Sequence, residues 1–300
     1  MSAHVRDTAL KVTILGGDLR YIYLANQLTK LGYSVSVYGN DIALYTLPKC
    51  EISLFTNHIN TLHSTDSIFQ NNDIIIGPIP FSKDGKNITM HSSFPKMSVT
   101  YLFEKLESSI KLFGGAIKPE FKEYLTSHKI EFYDFMALES VAVSNAIATA
   151  EGAIVEAIKR STINLHKSNV LVLGYGRCAK ILASKLKGLD AFVTVGARKP
   201  DVLAYANAYG FQTLPLCDNP LNLEPYDFVF NTIPSLVITR EALENANSNI
   251  VIIDIASAPG GVDFDAAREL NINASLCLAL PGFYAPKASA KILTDVISNI

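Results

Sequence analysis

The sequence predicts an α/β protein with two Rossmann-like, doubly wound domains. Short apolar runs, each the length of a buried parallel strand, alternate along the chain with segments of helical spacing. One of these runs, residues 169–173, leads directly into the glycine-rich turn Gly174-x-Gly176-x-x-Ala179 and then into a helical pattern. The chain has 300 residues, which is enough for two domains of ~150 residues each.

Composition and charge narrow the class of protein. Lys and Arg total 26 against 28 Asp and Glu, so the chain lacks the basic excess of a nucleic-acid-binding protein. Residues 1–11 are polar and have no apolar segment of the signal-peptide kind. The most apolar long stretch, residues 132–158, is interrupted by acidic residues, which argues against a membrane span. These features favour a cytoplasmic protein with no nucleic-acid or membrane partner.

Cysteines and histidines indicate neither a disulfide framework nor a metal site. The cysteines are far apart, without a C-x-x-C pair, and therefore suggest reduced residues of a cytosolic protein. The histidines show no paired ligand spacing, so we expect no bound metal. The residues concerned are Cys50, Cys178, Cys217 and Cys277, and His4, His58, His63, His91, His128 and His166.

The first predicted domain, residues 1–145, is flavodoxin-like, with five parallel strands. Gly16-Gly17-Asp18 follows its first strand. Because no third small residue sits at the fingerprint offset, this turn is equally compatible with a nearby ligand and with a plain strand–helix connection. Residues 40–72 show no regular pattern. The predicted strands are residues 10–15, 34–38, 73–76, 109–113 and 130–133.

The second predicted domain, residues 146–285, is entered by a bridging helix over residues 150–160. Strong helix formers, with basic residues at the carboxyl end, favour that helix. Residues 286–300 are amphipathic and are expected to form a C-terminal helix that packs back toward the N-terminal domain. The predicted strands of the second domain are residues 169–173, 192–195, 227–230, 250–255 and 275–279.

The glycine-rich turn makes the second domain a candidate NAD(P)-binding domain. Gly174 permits the tight turn, Gly176 allows a pyrophosphate to approach the backbone, and Ala179 keeps the helix close to the strand. The free N–H groups of the helix start would then face the phosphates. A purely structural glycine turn is the alternative, and the flanking strand and helix favour the nucleotide site.

The end of the next strand favours NADP over NAD. An NAD site places a carboxylate about 20 residues past the glycines, but here that position holds Arg198 and Lys199. Two cations suit a 2′-phosphate, although a solvated Arg-Lys pair is the alternative. We expect Cys178 to pack under the turn. The predicted cofactor-binding residues are Gly174, Tyr175, Gly176, Arg177, Cys178, Ala179, Arg198, Lys199, Asn231, Thr232, Ile233, Pro234, Ala256, Leu280, Pro281 and Gly282.

Over nearly its whole length the chain resembles the A-subunit family of dipicolinate synthase from endospore-forming bacteria. The glycine fingerprint alone would fit many dehydrogenases, and the distinctive motifs lie in the second half. They are Asn231-Thr-Ile-Pro-Ser235, Asp254-Ile-Ala-Ser-Ala-Pro-Gly-Gly-Val-Asp-Phe264, and Leu280-Pro-Gly282 with Ala285-Pro-Lys287. The first half contributes Gly16-Gly-Asp18, Leu112-Phe-Gly-Gly115 and Ala150-Glu-Gly152. The chain departs from the family at Ala258, where arginine is common.

The resemblance implies an activity and a partner. It implies the NADP-dependent oxidation of dihydrodipicolinate, a lysine-pathway intermediate, to pyridine-2,6-dicarboxylate during sporulation, in the cytoplasm of the mother cell. It also implies a separate, flavoprotein-like B-subunit of dipicolinate synthase, and a homo-oligomer is compatible with it. The alternatives are another two-domain amino-acid or hydroxyacid dehydrogenase and a non-catalytic nucleotide-binding subunit.

We expect an active-site cleft between the domains, because loops at the carboxyl ends of both sheets should face it. A dicarboxylate needs cations or N–H donors, and the oxidation needs a proton acceptor. Glu151 is the first choice for that acceptor and Asp263 the second, although Glu151 could instead satisfy a helix N-terminus and Arg20 could be an exposed first-turn residue. The other predicted residues are Lys287, with a catalytic role, and Asp18, Arg20, Ser257, Gly260 and Gly261, which bind substrate.

Overall fold

The structure, a computed structural model, describes residues 9–47, 59–70, 72–216 and 221–300. Cys50, Cys217, His4 and His58 lie outside these residues. The chain divides into two compact units, of which the first extends to Ala142 and also includes Ala285–Ile300, and the second is Val143–Tyr284. Each unit is an α/β sandwich around a parallel sheet, so the predicted fold class is confirmed.

Within the described residues, the sheet of the first unit has six parallel strands in the order β3-β2-β1-β4-β5-β6. The five predicted strands are present, and among themselves they follow the flavodoxin-like order. The prediction that residues 40–72 lack regular structure was wrong, because two of those residues pair as an edge strand and others form two short 3-10 helices. The strands are β1 Lys11–Leu15, β2 Ser34–Tyr38, β3 Asn60–Thr61, β4 Ile74–Ile76, β5 Lys111–Gly114 and β6 Phe132–Asp134.

The sheet of the second unit also has six parallel strands in the part of the chain that is described, in the order β12-β11-β10-β7-β8-β9. This is the Rossmann order, with the reversal between β7 and β10. The prediction missed β9 and placed the last strand two residues late. The strands are β7 Asn169–Leu173, β8 Phe192–Ala197, β9 Gln212–Pro215, β10 Phe228–Asn231, β11 Val251–Asp254 and β12 Asn273–Leu276.

Ten α-helices are described, and they cover the faces of the two sheets with apolar side chains from both sides. Short 3-10 helices occupy Ile42–Leu44, Asp66–Phe69 and Phe135–Ala137. The α-helices are α1 Leu19–Lys30, α2 Val99–Lys105, α3 Pro119–Ser127, α4 Glu139–Arg160, α5 Arg177–Gly188, α6 Pro200–Ala208, α7 Arg240–Glu244, α8 Phe264–Glu269, α9 Leu280–Tyr284 and α10 Pro286–Ser298.

The C-terminal helix α10 packs on α1 within the first unit. Leu293 and Ile297 share an apolar cluster with residues of α1 and of the sheet. Two hydrogen bonds accompany this contact: Thr294 Oγ1 donates to Gln27 Oε1 at 2.8 Å, and Gln27 Nε2 donates to the carbonyl of Lys287 at 3.2 Å. The apolar spacing of residues 286–300 therefore corresponds to a face that is buried in the first unit.

Helix α4 begins at Glu139, eleven residues before the position predicted from the sequence. The prediction was wrong because residues 140–149 include β-branched and polar residues of only moderate helix propensity. Their small, buried members, such as Ala142 and Ala146, stabilise the helix through packing. By length and apolar composition α4 could cross a membrane, which is weak evidence for a single helix, and 56% of its most apolar window is buried inside the protein.

Candidate nucleotide-binding site

The turn after β7 requires glycine at its first position. Gly174 has a φ of +93°, and a Cβ built on it would lie 2.4 Å from Thr232 Oγ1. That hydroxyl donates to the carbonyl of Leu173 at 2.8 Å, so it fixes the turn to the loop after β10. A side chain at Gly174 would have to adopt a disfavoured φ and displace Thr232.

Gly176 leaves the mouth of this turn open. It is the N-cap residue of α5, it is exposed, and a Cβ built on it would meet nothing within 4 Å. Its backbone lies in the extended region, which any residue adopts, so local strain does not explain the glycine. Space beside the first N–H groups of a twelve-residue helix is what a phosphate group needs.

Three other residues of the turn, Tyr175, Cys178 and Ala179, are partly or fully buried. Ala179 is fully buried in the apolar cluster under α5, which is consistent with close helix–strand packing. Tyr175 is half-buried, with its ring 6.1 Å from that of Phe211. Burial raises the pKa of the Cys178 thiol, which therefore has little thiolate character. Arg177 is exposed as the first residue of α5.

A cavity of about 630 Å³ lies beside the carboxyl ends of β8 and β9. Arg198, exposed just past the end of β8, is one of its lining residues. Lys199 is also exposed and is the N-cap residue of α6. The volume is within the range of cofactor sites. Other lining residues are Leu214, Leu216, Tyr226, Ile233 and Ser235.

A buried Asn–Asp pair organises the loops that follow β10 and β11. Asn231 and Asp254 are both 0% exposed, and Asn231 Nδ2 donates to Asp254 Oδ1 at 3.0 Å. Asn231 also bonds both polar groups of the Ile233 backbone, donating to its carbonyl and accepting from its N–H. Pro234 follows directly in this loop. The Asp254 carboxylate also accepts hydrogen bonds from the N–H groups of Ala256 at 2.9 Å and Gly261 at 2.7 Å.

The N–H groups of the Pro-Gly-Gly turn donate hydrogen bonds within the protein, which differs from the role that we expected for them. We expected the N–H groups of Gly260 and Gly261 to bind a substrate carboxylate, but the Gly261 N–H donates to Asp254 and the Gly260 N–H donates to the Ser257 carbonyl at 2.9 Å. A Cβ on Gly260 would lie 2.5 Å from Asp254 Oδ2. These glycines therefore allow the loop to close around Asp254. The Ser257 side chain is exposed.

The two predicted proton acceptors differ in their surroundings. Glu151 lies in the middle of α4, not at its start, so it does not satisfy a helix N-terminus. Its exposed carboxylate forms an ion pair with Lys185 of α5 at 2.8 Å. Asp263 is the N-cap of α8, where its Oδ1 accepts from the N–H of Ala266 at 2.9 Å. Helix capping already accounts for a carboxylate at Asp263.

Leu280, Pro281 and Gly282, which were predicted to bind the cofactor, form the start of the short helix α9. Leu280 is buried against Gly152 of α4. Tyr284, at the end of α9, accepts a hydrogen bond from Lys159 Nζ at 3.0 Å and contacts the Glu156 carboxylate. The segment is therefore held by α4 within the second unit.

In the first unit, Arg20 is buried, contrary to the alternative of an exposed first-turn residue. It is 4% exposed, and its guanidinium makes a two-point contact with Asp18 at 2.9 and 2.8 Å. Asp18 is also the N-cap of α1. Asn40 Nδ2 donates to the carbonyls of Gly16 and Asp18, which fixes the turn. Lys287, in the first turn of α10, is exposed.

The loops that follow β1, β4 and β5 contact one another at the carboxyl edge of the first sheet. The Gly17 N–H donates to the Thr89 carbonyl at 3.0 Å, and the Phe81 N–H donates to the Gly115 carbonyl at 2.7 Å. Sequence reasoning did not single out Asp254 or the basic residues of the loop after β4. Among the residues that the structure describes, no group of three or more His, Cys, Asp or Glu side chains could hold a metal ion.

The two sheets, their strand order and the glycine turn define the class. This is a two-unit α/β protein with the NAD(P)-binding Rossmann fold of dehydrogenases. Its fold is similar to that of a solved L-alanine dehydrogenase, with a TM-score of 0.59 and 12% identity over 95% of this chain and 87% of that one.

The particular family follows from closer relatives. The family described as the N-terminal domain of the dipicolinate synthase A-subunit matches residues 11–136. The dipicolinate synthase A-subunit of Bacillus subtilis (strain 168) is 29% identical over 298 residues, which is 98% of this chain and 96% of that protein. The solved structure of the A-subunit from Bacillus halodurans has 30% identity and a TM-score of 0.83, with 97% of each chain covered. The chain belongs to the dipicolinate synthase A-subunit family.

Proposed function

We propose that the chain is an NADP-dependent oxidoreductase that oxidises dihydrodipicolinate to dipicolinate. The observation that carries the proposal is the open space beside Gly176 in the glycine turn, together with the cavity that Arg198 helps to line. Family membership supports the reaction, because the relatives are named as the A-subunit of dipicolinate synthase.

The described residues fit a dinucleotide. The empty space at Gly176 lets a pyrophosphate lie against the N–H groups at the start of α5. Arg198 and Lys199 supply the positive charge that a 2′-phosphate requires, and no carboxylate takes the NAD position. A nicotinamide cofactor held by these residues would supply the hydride acceptor. The Asn231–Asp254 pair orients the loops that would line the nicotinamide half.

For the substrate, we propose that Glu151, Asp263, Ser257 and Lys287 share binding and proton transfer. Glu151 is proposed as the proton acceptor because its carboxylate is exposed and held by Lys185. Asp263 is second, since one of its oxygens caps α8. Ser257 and Lys287 have exposed side chains, whereas Arg20 and Asp18 neutralise each other. Aromatisation drives the reaction, so a strong base is not required.

We also propose a partner subunit and a cellular location for the protein. Membership of the A-subunit family implies a second polypeptide, which we propose is the flavoprotein-like B-subunit of dipicolinate synthase. We place the complex in the cytoplasm of the mother cell of a sporulating bacterium. A homo-oligomer of the chain is compatible with this arrangement.

The test is an assay with the lysine-pathway intermediate and NADP⁺, with and without the B-subunit, in which aromatic product and NADPH are measured by absorbance. Gly176→Val should remove activity, because the side chain would fill the space meant for the pyrophosphate. Gly188→Val is the matched control, since its Cβ also meets nothing within 4 Å. It lies at the far end of α5 and should retain activity.

The outcomes separate the alternatives. Product formation that requires NADP⁺ and is lost in Gly176→Val supports the proposal. Product formation that needs the B-subunit but is indifferent to Gly176 and Arg198 would show that the chain has a non-catalytic role in the complex. Turnover of an amino acid or hydroxyacid, without any of the aromatic product, would instead favour another two-domain dehydrogenase.

A further inference from the structure

A small dicarboxylate needs positive charge, and several groups expected to supply it are engaged within the protein. The Arg20 guanidinium is buried and paired with Asp18. The N–H groups of Gly260 and Gly261 have acceptors inside their own loop. Of the predicted substrate-binding groups only Lys287 and Ser257 remain exposed, so a binding site for a dianion needs further basic groups. The loop between β4 and α2 contains such a group of residues.

This segment, residues 82–98, which we call the basic loop, lies at a favourable place in the first sheet. It follows β4, and the strand order of that sheet reverses between β1 and β4. Ligands of open α/β sheets bind outside the carboxyl ends of the strands at this reversal. The carbonyl of Thr89 in the basic loop accepts a hydrogen bond from Gly17, in the turn after β1. The basic loop thus lies against the turn at the reversal point.

The basic loop is long but well fixed. The Ile88 N–H donates to the Met97 carbonyl at 2.9 Å, and Asn87 pairs with Ser98 as an antiparallel bridge. The side chains of Ile88 and Met97 are each 3% exposed and anchor the loop in the apolar cluster below. A long ordered loop at a sheet edge is typical of a binding element.

The basic loop lines an open cavity of about 310 Å³ that has basic residues in its wall. Lys83, His91 and Lys96 contribute to its wall, and both lysines are exposed. Neither lysine forms an ion pair with any of the described residues. The lining therefore presents the charges of two lysines and of one carboxylate, Asp84, so its net charge is positive.

The one carboxylate in the wall is already satisfied. Asp84 accepts hydrogen bonds from the N–H groups of Lys86 at 2.8 Å and Asn87 at 2.7 Å, and from the Asn87 side chain at 2.8 Å. These bonds hold the pKa of the Asp84 carboxyl well below its usual range. Asp84 therefore stays ionised and braces the basic loop, with Oδ1 accepting from the backbone and from the Ser82 hydroxyl and Oδ2 accepting from the Asn87 side chain.

His91 adds a third donor. Its Nδ1 accepts from the Ser93 N–H at 3.2 Å. In the neutral ring the proton must then be on Nε2, which makes that nitrogen a hydrogen-bond donor. Two lysines and one imidazole N–H suit the two carboxylates of a small ring, and the volume is too small for a dinucleotide.

We propose that the cavity of the basic loop binds a small planar dicarboxylate, with Lys83 and Lys96 each facing one carboxylate. This inference rests on the proposed function, because it assigns the substrate and product class of that reaction to residues of the first unit. It gives the chain a dianion site that does not depend on Arg20 or on the Pro-Gly-Gly turn.

The test is calorimetric titration of the full chain with pyridine-2,6-dicarboxylate in metal-free buffer. The double variant Lys83→Met/Lys96→Met should bind at least ~10-fold more weakly, a loss of about 1.4 kcal/mol. Lys105→Met is the matched control, since Lys105 is an exposed lysine at the end of α2, and its affinity should be unchanged. Pyridine-2-carboxylate, with one carboxylate fewer, should bind more weakly than the dicarboxylate to the unchanged chain.

Unchanged dicarboxylate affinity in the double variant would overturn the inference. Equal affinity for inorganic phosphate would also overturn it, because the cavity would then be a general anion site. NADP⁺ titration of the same proteins separates this result from the proposed function. If the double variant keeps its NADP⁺ affinity, it is folded and the loss is local. If the unchanged chain binds the dicarboxylate but not NADP⁺, the proposed function fails and the inference stands.

Discussion

Asp254 is the residue on which the carboxyl edge of the second sheet depends most. It is fully buried and receives three N–H donors: two from the backbone of its own loop and one from Asn231. Burial raises the pKa of its carboxyl, while these hydrogen bonds act in the opposite direction. No cation pairs with it among the described residues, so the donors themselves stabilise the charge.

Asp254→Asn should destabilise the protein by about 2 kcal/mol, because the new amide group would point a donor at the Gly261 N–H. Urea unfolding of the full chain measures this change. Asp263→Asn is the matched control: Asn caps a helix as well as Asp does, so the change should stay within about 0.5 kcal/mol. Equal losses in the two variants would contradict the role assigned to Asp254.

At the residue scale, the sequence predicted which glycines the turn needs better than it predicted which groups form hydrogen bonds with each other. Gly174 could be assigned because its positive φ is a local requirement of the turn, and Gly176 because its position in the fingerprint is fixed by the spacing of the sequence. The pairing of Arg20 with Asp18, and of Gly261 with Asp254, could not be predicted, since both depend on how side chains meet after folding. A group that the sequence offers for ligand binding can already have a hydrogen-bond partner within the folded protein.

Helix α4 shows how packing selects small residues in a long element. Ala150, Ala153 and Ala157 are 0% exposed on its inner face, so the helix lies close to its neighbours. Gly152 is the point of closest approach to α9. A Cβ built there would lie 2.8 Å from Tyr284 Cδ2 and 2.9 Å from Leu280 Cβ. The position of α9, with its Leu-Pro-Gly segment, thus depends on glycine at residue 152, where any side chain would be too large.

Gly152→Ala should therefore destabilise the protein by about 1 kcal/mol, because overpacking outweighs the gain in helix propensity. It should also weaken NADP⁺ binding through the displaced α9. Gly188→Ala, at the end of α5 with nothing within 4 Å, should stabilise by about 0.5 kcal/mol. Thermal unfolding and NADP⁺ titration report both effects, and a Gly152→Ala variant more stable than the parent chain would contradict the packing argument.

The two strands that the sequence missed both lie at sheet edges. β3 is two polar residues, Asn60 and Thr61, and β9 is the partly exposed Gln-Thr-Leu-Pro. Both lie at the outer edge of their sheets, where a strand has one neighbour and less burial. The apolar runs that predicted the central strands are absent at these edges, because the edge strands bury less surface.

For the whole molecule, two sheets with the same strand order each have a reversal point flanked by a glycine turn. The alternation of strands and helices was sufficient to predict this class, since parallel strands require helical crossovers. The sequence motifs were sufficient to predict the family to which the chain belongs. Substrate-binding residues were harder to predict, because a site for a dianion depends on which basic groups remain unpaired after folding.

The most direct test of the central claim is a comparison of NADP⁺ and NAD⁺ affinity by equilibrium titration. The account predicts that NADP⁺ binds at least ~10-fold more tightly to the unchanged chain, which corresponds to about 1.4 kcal/mol. Arg198→Met should reduce that preference. Arg268→Met, an exposed arginine of α8 that pairs with Asp265, should leave it unchanged. Tighter binding of NAD⁺ than of NADP⁺, or binding of neither, would contradict the account.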